Sequence, residues 1–592
     1  MTNKIAKMSS TTPLKDFLSA STLLLIVFTF SFNFASGQNS TVFEQSGGTK
    51  TASYEEGIEF YRNLAQKHTS IQMDSVGITD SGKPLHLVTY SQNGVFNFPQ
   101  LHRNNKKILM INNAIHPGEP DGVEASMMLL RDVANGKIDI DEDIVIAIIP
   151  FYNIGGVLNR NSYTRANQSG PEEYGFRGNS RNFDLNRDFI KSDTRNAFAF
   201  QNTFHRVKPH LLVDTHVSNG ADYQYVMTMV YPQKDKLGGA TAKLQEELLM
   251  PFLFEKMEKA DFPTVPYVNV FGRTPDSGWR QFLDGPRYSS GYAALFQTIA
   301  FQSETHMLKP FKQRVLATYE WLTACLSALE KHGDEIVEAQ KKDRQNLMDQ
   351  TRFSLSWEID TTNYQILNFK GYEGEIIKSD ISGGERLYYN HDKPFEKEVK
   401  FYDSYKPKNI INAPSHYVVP QQWHEVIRRL KNNDVALNPI QKDTSILVAA
   451  YTIETYETSR MPYEGHYLHY NVKISKDQKR VNLRKGDYLI DVNQPSKRYI
   501  IEVLEPEAPD SFFAWNFFDT KLQRKEHFSP YVFEDLAKEI LENDPKLKQV
   551  LENAIKENPE LEGNAYGQLK VIYENSPYSE EAYMEYPVYR IE

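Results

Sequence analysis

Cysteine is nearly absent: Cys325 is the only one in 592 residues. An intrachain disulfide is therefore impossible, and so is a zinc or iron–sulfur site built on several thiolates. Cys325 itself sits in the apolar run 322–329, the setting of a small buried hydrophobe rather than of a nucleophile. Basic charge is also in short supply. The 67 Lys and Arg stand against 77 Asp and Glu, a net charge of −10, and no Lys/Arg run forms a basic surface. Nucleic acid is excluded as a partner on that ground. No stretch reaches the roughly 18 consecutive apolar residues that a membrane span requires. The Gly-x-Ser-x-Gly elbow of the simplest serine hydrolases does not occur either.

What is present describes a globular chain of about three domains, with 40 % hydrophobic and 24 % charged residues. Its first residues differ from the rest. Lys4, Lys7 and Lys15 precede the short apolar core Leu23 to Phe28, and small residues end the stretch at Ala35-Ser36-Gly37. This is the layout of a secretory signal peptide, residues 1–37, cut after Gly37, which implies an exported protein (periplasmic or secreted) with no membrane span in its mature form. From about Ser53 to Lys331 short apolar strands alternate with helical patterns. Strands are expected at 107–111, 144–150, 211–213 and 294–302, and helices at 122–135, 194–207, 237–259 and from 311 to about 340. Such alternation indicates an α/β fold: a mostly parallel or mixed central sheet covered by helices on both faces. After the charged stretch 338–352 the pattern changes to short alternating segments. A β-rich accessory region over 353–592 is expected, with helices at 420–432 and 534–558 and strands through most of 445–504.

Two motifs carry no chemistry. Gly77-Ile-Thr-Asp-Ser-Gly82-Lys83 approaches a phosphate-binding loop, but Pro84 stands where the magnesium-binding hydroxyl belongs. The segment reads instead as a hairpin turn between two strands. His466 and His469, three apart on an expected exposed strand, would point to opposite faces. The informative segment is Asn112-Asn-Ala-Ile-His116-Pro-Gly-Glu119, which follows a buried strand and opens a helix. His116 and Glu119 on a tight turn can offer one imidazole nitrogen and one carboxylate to a single zinc ion. A third ligand is available in Asp214-Thr215-His216, just past another buried strand. Asn182 to Phe189 lies between these two, and Gln302-Ser-Glu304-Thr-His306 ends a further apolar run with a carboxylate. In open α/β sheets ligands bind past the carboxyl ends of strands, where these clusters fall.

The order His-x-x-Glu, Asn-Arg, His, Glu resembles the zinc metallocarboxypeptidases of the carboxypeptidase A type, over roughly Tyr54 to Lys331, followed by a long C-terminal extension. The resemblance implies one Zn2+ per chain held by His116, Glu119 and His216, with Glu304 as general base. It assigns Asp184 to the carboxylate that orients the first zinc histidine, Asn186 and Arg187 to the grip on the substrate's terminal carboxylate, and Arg165 to the scissile carbonyl. The implied substrate is a peptide or protein with a free C-terminal carboxylate, and the implied catalytic unit spans 53–340. Cell-wall peptides or acyl-amino acids are alternative substrates for the same zinc chemistry, and a non-catalytic binding protein on this fold is a third reading. The sequence departs from the family in two places. Gly118 stands where many members carry Arg, and the family's mobile tyrosine has only Tyr288 and Tyr292 as nearby candidates. No inhibitory pro-segment fits between Gly37 and Ser53.

Overall fold

A computed structural model describes residues 40–592. The signal-peptide reading falls on residues 1–37 and lies outside them. Eight strands form the main sheet: β1 (Ile71–Ile78), β2 (Pro84–Ser91), β3 (Lys107–Asn112), β4 (Ile144–Ile149), β5 (Leu211–Ser218), β6 (Met227–Val230), β7 (Thr264–Pro266) and β9 (Ile299–His306), while β8 (Trp279–Arg280) pairs elsewhere. Their order is β1-β2-β4-β3-β5-β9-β6-β7. The four central strands β4, β3, β5 and β9 run parallel; β1 with β2, β2 with β4 and β6 with β9 pair antiparallel, and β7 pairs parallel with β6. The expected mixed α/β sheet is thus present. Its central strands bury both faces, which is why 144–149 and 107–112 read as continuous apolar runs. The hairpin expected at 77–83 is also there, closed by the Thr79 N–H on the Lys83 carbonyl at 3.0 Å.

Several boundaries differ from the sequence expectation, each for a physical reason. β5 continues five residues beyond Val213, because its polar residues pair in register with β9 as far as Ser218 opposite His306. The strand expected at 294–302 begins at Ile299, since 289–294 turn into a short helix. His216 and Glu304 therefore sit within strands rather than past their ends. The helix expected over 237–259 is broken by a π-turn at Gln245–Leu249. Pro251, which has no N–H to give the preceding turn, stands two residues beyond it. The helix from Phe311 runs on to Asp349, absorbing most of the charged stretch.

Beyond it, β10 (Arg352–Ile359) pairs with β13 (Tyr405–Asn412), and β11 (Gln365–Lys378) with β12 (Glu385–Tyr402) forms a long hairpin that β8 joins. A six-stranded sheet follows, built from β14 (His416–Val419), β15 (Asn438–Pro439), β16 (Thr444–Thr458), β17 (His469–Leu483), β18 (Tyr488–Asp491) and β19 (Tyr589–Ile591). The C-terminal region is β-rich, as expected. Its segment 497–504 is a buried helix rather than a strand, and the helix expected over 534–558 is two, interrupted at Asp544-Pro545. His466 lies in a loop, and His469 is buried against Asp519 rather than exposed. One apolar cluster contains Phe189, Phe200 and Tyr292 of the first half together with Tyr499, Phe513 and Trp515 of the second. Among the described residues no helix is long and apolar enough to cross a membrane.

Candidate active site

The loop after β3 brings His116 and Glu119 together. The Glu119 N–H donates to the His116 carbonyl at 2.8 Å, closing a tight turn, and Tyr152 and Asn153 fasten residues 113 and 114 from the other side. Both side chains are buried, as is His216 on the neighbouring strand β5. Three donor atoms meet there. His116 Nδ1 lies 3.3 Å from Glu119 Oε2 and 3.2 Å from His216 Nδ1, and Glu119 Oε2 is 3.3 Å from His216 Nδ1. A tetrahedral ion at about 2.0–2.1 Å from N and O donors would space them about 3.3–3.4 Å apart. The triangle has that size, and this is the metal-capable His/Glu/His group among the described residues.

The outer nitrogens of both rings are tied to carboxylates. His116 Nε2 is 2.9 Å from Asp184 Oδ1, and His216 Nε2 is 3.0 Å from Asp214 Oδ2. Such partners fix the ring orientation and leave the other nitrogen free to face an ion. Asp214 is itself held by Asn112 Nδ2 at 3.0 Å, through the β3–β5 register. Burial would push the Glu119 carboxyl up, but His116 and Arg165 outweigh it and hold it well below the usual range. Asp184 is held well below its usual value against burial by His116, Arg177 and Arg187. Burial likewise disfavours a charged His216, yet Asp214 and Glu119 drive its imidazole well above the usual value. The negative field that favours a proton on this imidazole also favours a cation beside it.

Glu304 stands on β9 in register with His216, half-buried at the cavity wall. Burial pushes its carboxyl up to about 7; His216 and Arg177 oppose that rise, and Glu119 and Asp214 add to it. His116, Glu119, His216, Glu304, Arg165, Asn186 and Arg187 all line one cavity of 520 Å³, and Asp184 stands behind His116. The structure thus brings together the residues that the resemblance assigns to the metal, the base and the substrate grip, but not His466, His469 or Tyr292. A larger hollow of 870 Å³, lined by Tyr54, Glu55, Arg62 and Lys83, contains none of them.

On the substrate side, Asn186 and Arg187 lie in the turn Leu185–Arg187, which the Asp184 side chain caps through the Asn186 N–H. Asn186 Oδ1 accepts the Ser289 N–H at 3.1 Å, and the Arg187 guanidinium lies 4.5 Å from the Tyr288 ring centroid. Arg165 Nη1 donates to Glu119 Oε1 at 2.9 Å. The stem of Arg165 also explains Gly118, because a Cβ there would meet Arg165 Cδ at 2.6 Å. Of the two tyrosine candidates, Tyr292 is fully buried and bonded to Asn433, whereas Tyr288 lines the cavity.

Sequence reasoning missed Arg177, Tyr267, Phe282 and the support that Asp214 gives His216. Arg177 donates to Asp184 Oδ2 at 2.8 Å and lies 3.5 Å from Glu119 Oε1, so it is a second cation beside Arg165. Its one signal was an arginine seven residues before Asp184, a spacing with no motif around it.

A metal-capable triangle, an ionisable glutamate across from it and an arginine-lined wall together offer the groups that metal-assisted hydrolysis requires. Residues 58–218 match the family Peptidase_M14, zinc carboxypeptidase. The chain is similar to carboxypeptidase 2 of Trichophyton rubrum, 21 % identical over 496 residues that cover 79 % of this chain and 84 % of that protein. Carboxypeptidase 2 of Trichophyton tonsurans gives the same identity and coverage. Among solved structures, a metallo-carboxypeptidase from Burkholderia cenocepacia is 16 % identical with a TM-score of 0.35, covering 47 % of this chain and 70 % of that one. The carboxypeptidase A of Helicoverpa armigera is 14 % identical with a TM-score of 0.36, covering 48 % of this chain and 74 % of that one.

Proposed function

We propose that the protein is an exported zinc carboxypeptidase that removes C-terminal residues from peptides, with residues 53–340 as the catalytic unit and 353–592 as an accessory region. The observation that carries this reading is the His116–Glu119–His216 triangle, with edges of 3.2–3.3 Å, in one cavity with Glu304, Asn186 and Arg187. Zinc held by these three residues would polarise the scissile carbonyl and make the attacking water more acidic. Glu304 takes the proton from that water and returns it to the leaving amine, a task suited to a carboxylate whose affinity for protons burial has raised. Arg165 and Arg177 face the oxygen on which negative charge develops. Arg187 grips the terminal carboxylate through its guanidinium fork, with Asn186 beside it.

The grip makes a direct prediction. A peptide and its C-terminally amidated twin differ only in the charge that Arg187 reads. The free acid should be cleaved at least tenfold faster in kcat/KM, measured by chromatography of the released residue. Equal cleavage of both would remove exopeptidase action and favour zinc amidase chemistry on other substrates.

A further inference from the structure

The second half of the chain packs against the segment behind the site. The loop between β16 and β17, residues 459–468, lies against the segment 183–193. Glu464 Oε2 accepts the Asp184 backbone N–H at 2.7 Å, and His466 Nε2 is 2.7 Å from Asp193 Oδ2. Between them Gly465 packs on Phe183, whose ring would lie 3.0 Å from a Cβ at that position. The residue that Glu464 fastens is the one whose side chain holds His116 and caps the turn carrying Asn186 and Arg187.

The backbone at this contact carries a cost. Glu464 has φ +51 and Gly465 φ +80, two successive left-handed residues. An L-residue with a long side chain is strained there, and glycine would hold the same turn at less cost. A glutamate kept in that conformation, with its carboxylate spent on a backbone donor of the catalytic segment, is placed for that bond.

We propose that Glu464 is a positioning residue for the carboxypeptidase site. Resting on the function proposed above, its carboxylate fixes the Asp184 N–H and so holds the turn 184–187 in place. Through that turn it sets the grip of Asn186 and Arg187 and the carboxylate behind His116. A clamp displaced by about 1 Å loses much of its effect, so a single hydrogen bond at the root of the turn is felt at the substrate.

The test uses the full-length protein and a C-terminally free peptide, comparing E464A, E464G and E464Q with the wild type. Steady-state kinetics give KM and kcat, and zinc retained against increasing chelator gives a readout independent of turnover. E464A and E464G should raise KM roughly tenfold, the effect of one lost hydrogen bond to a buried donor, and should lower kcat less. Both should also release zinc at lower chelator concentration. E464G relieves the turn's strain, so any loss it shows is not a failure to fold. The amide oxygen of E464Q can accept the same N–H, and its KM should return to within about twofold of wild type. Wild-type KM and zinc retention in E464A and E464G would overturn the proposal, as would an E464Q as impaired as E464A. A wild type that leaves the peptide uncut would strike the carboxypeptidase reading instead, and zinc retention alone would then decide the role of Glu464.

Discussion

Arg187 is set in one plane before substrate arrives: its guanidinium lies over the Tyr288 ring, and Nη1 donates to the Asn186 carbonyl at 2.8 Å. A lysine at this position would keep the charge and lose the fork and the stacking. R187K is therefore expected to raise KM for a C-terminally free peptide by roughly ten- to a hundredfold with kcat little changed, the signature of lost uniform binding. Steady-state kinetics check this, and an unchanged KM would remove Arg187 from the clamp. His116, Glu119 and Arg187 were legible because each belongs to a short motif of fixed spacing. Arg177 was not, because it reaches Asp184 and Glu119 from a loop whose course no local pattern reveals. Asp214 stands in the same short motif as His216, but its hold on that ring depends on which face of β5 each side chain takes.

At the scale of elements, the site is made by close approach of loops to strand ends. Gly118 is where two of them touch, since the stem of Arg165 occupies the space of its missing side chain. G118A should push Arg165 off Glu119 Oε1 and lower kcat by about tenfold, while zinc content stays at the wild-type level. Zinc loss in this variant would mean that the turn, not Arg165, had moved. The strands β3 and β4 were readable as apolar runs, whereas β5 was cut short after Val213. Asp214, Thr215, His216 and Ser218 are all buried there despite their polarity. Polar residues buried at a catalytic strand end break the pattern that marks a strand, so the sequence rule fails where the chemistry sits. The same holds for the long helix beyond Phe311, whose charged face hides its continuation to Asp349.

Across the whole molecule, the two halves share one apolar cluster and the accessory region touches the catalytic segment at Glu464 and His466. None of this was readable from sequence. β19 pairs with β14 and β16 from more than a hundred residues away, and no local period announces such a pairing. Burial also stores an acid sensitivity in the sheet. His210, whose Nδ1 accepts the Ile108 N–H at 2.9 Å, is pushed down to about 3 by burial and by nearby His102. The unfolded chain binds a proton at this imidazole below its usual 6.5, while the fold refuses it until about 3. His210 therefore subtracts stability as pH falls through that window, by about 1.4 kcal/mol per pH unit. H210N keeps an acceptor and removes the titration. Denaturant unfolding of the two proteins from pH 6.5 to 4 should show a flatter dependence in the variant, and parallel curves would contradict the assignment.

The central claim concerns Glu304, and substituting glutamine tests it most directly. E304Q keeps the size of the side chain and removes the base, leaving His116, Glu119 and His216 intact. Metal analysis and single-peptide turnover should be measured on the same preparations of wild type and variant. The account predicts about one zinc per chain in both, with turnover in E304Q lower by roughly 10²–10⁴ and peptide binding retained. Loss of zinc from E304Q would make Glu304 a ligand and reopen the assignment of Glu119. Full zinc with full turnover would place the base elsewhere and contradict the account.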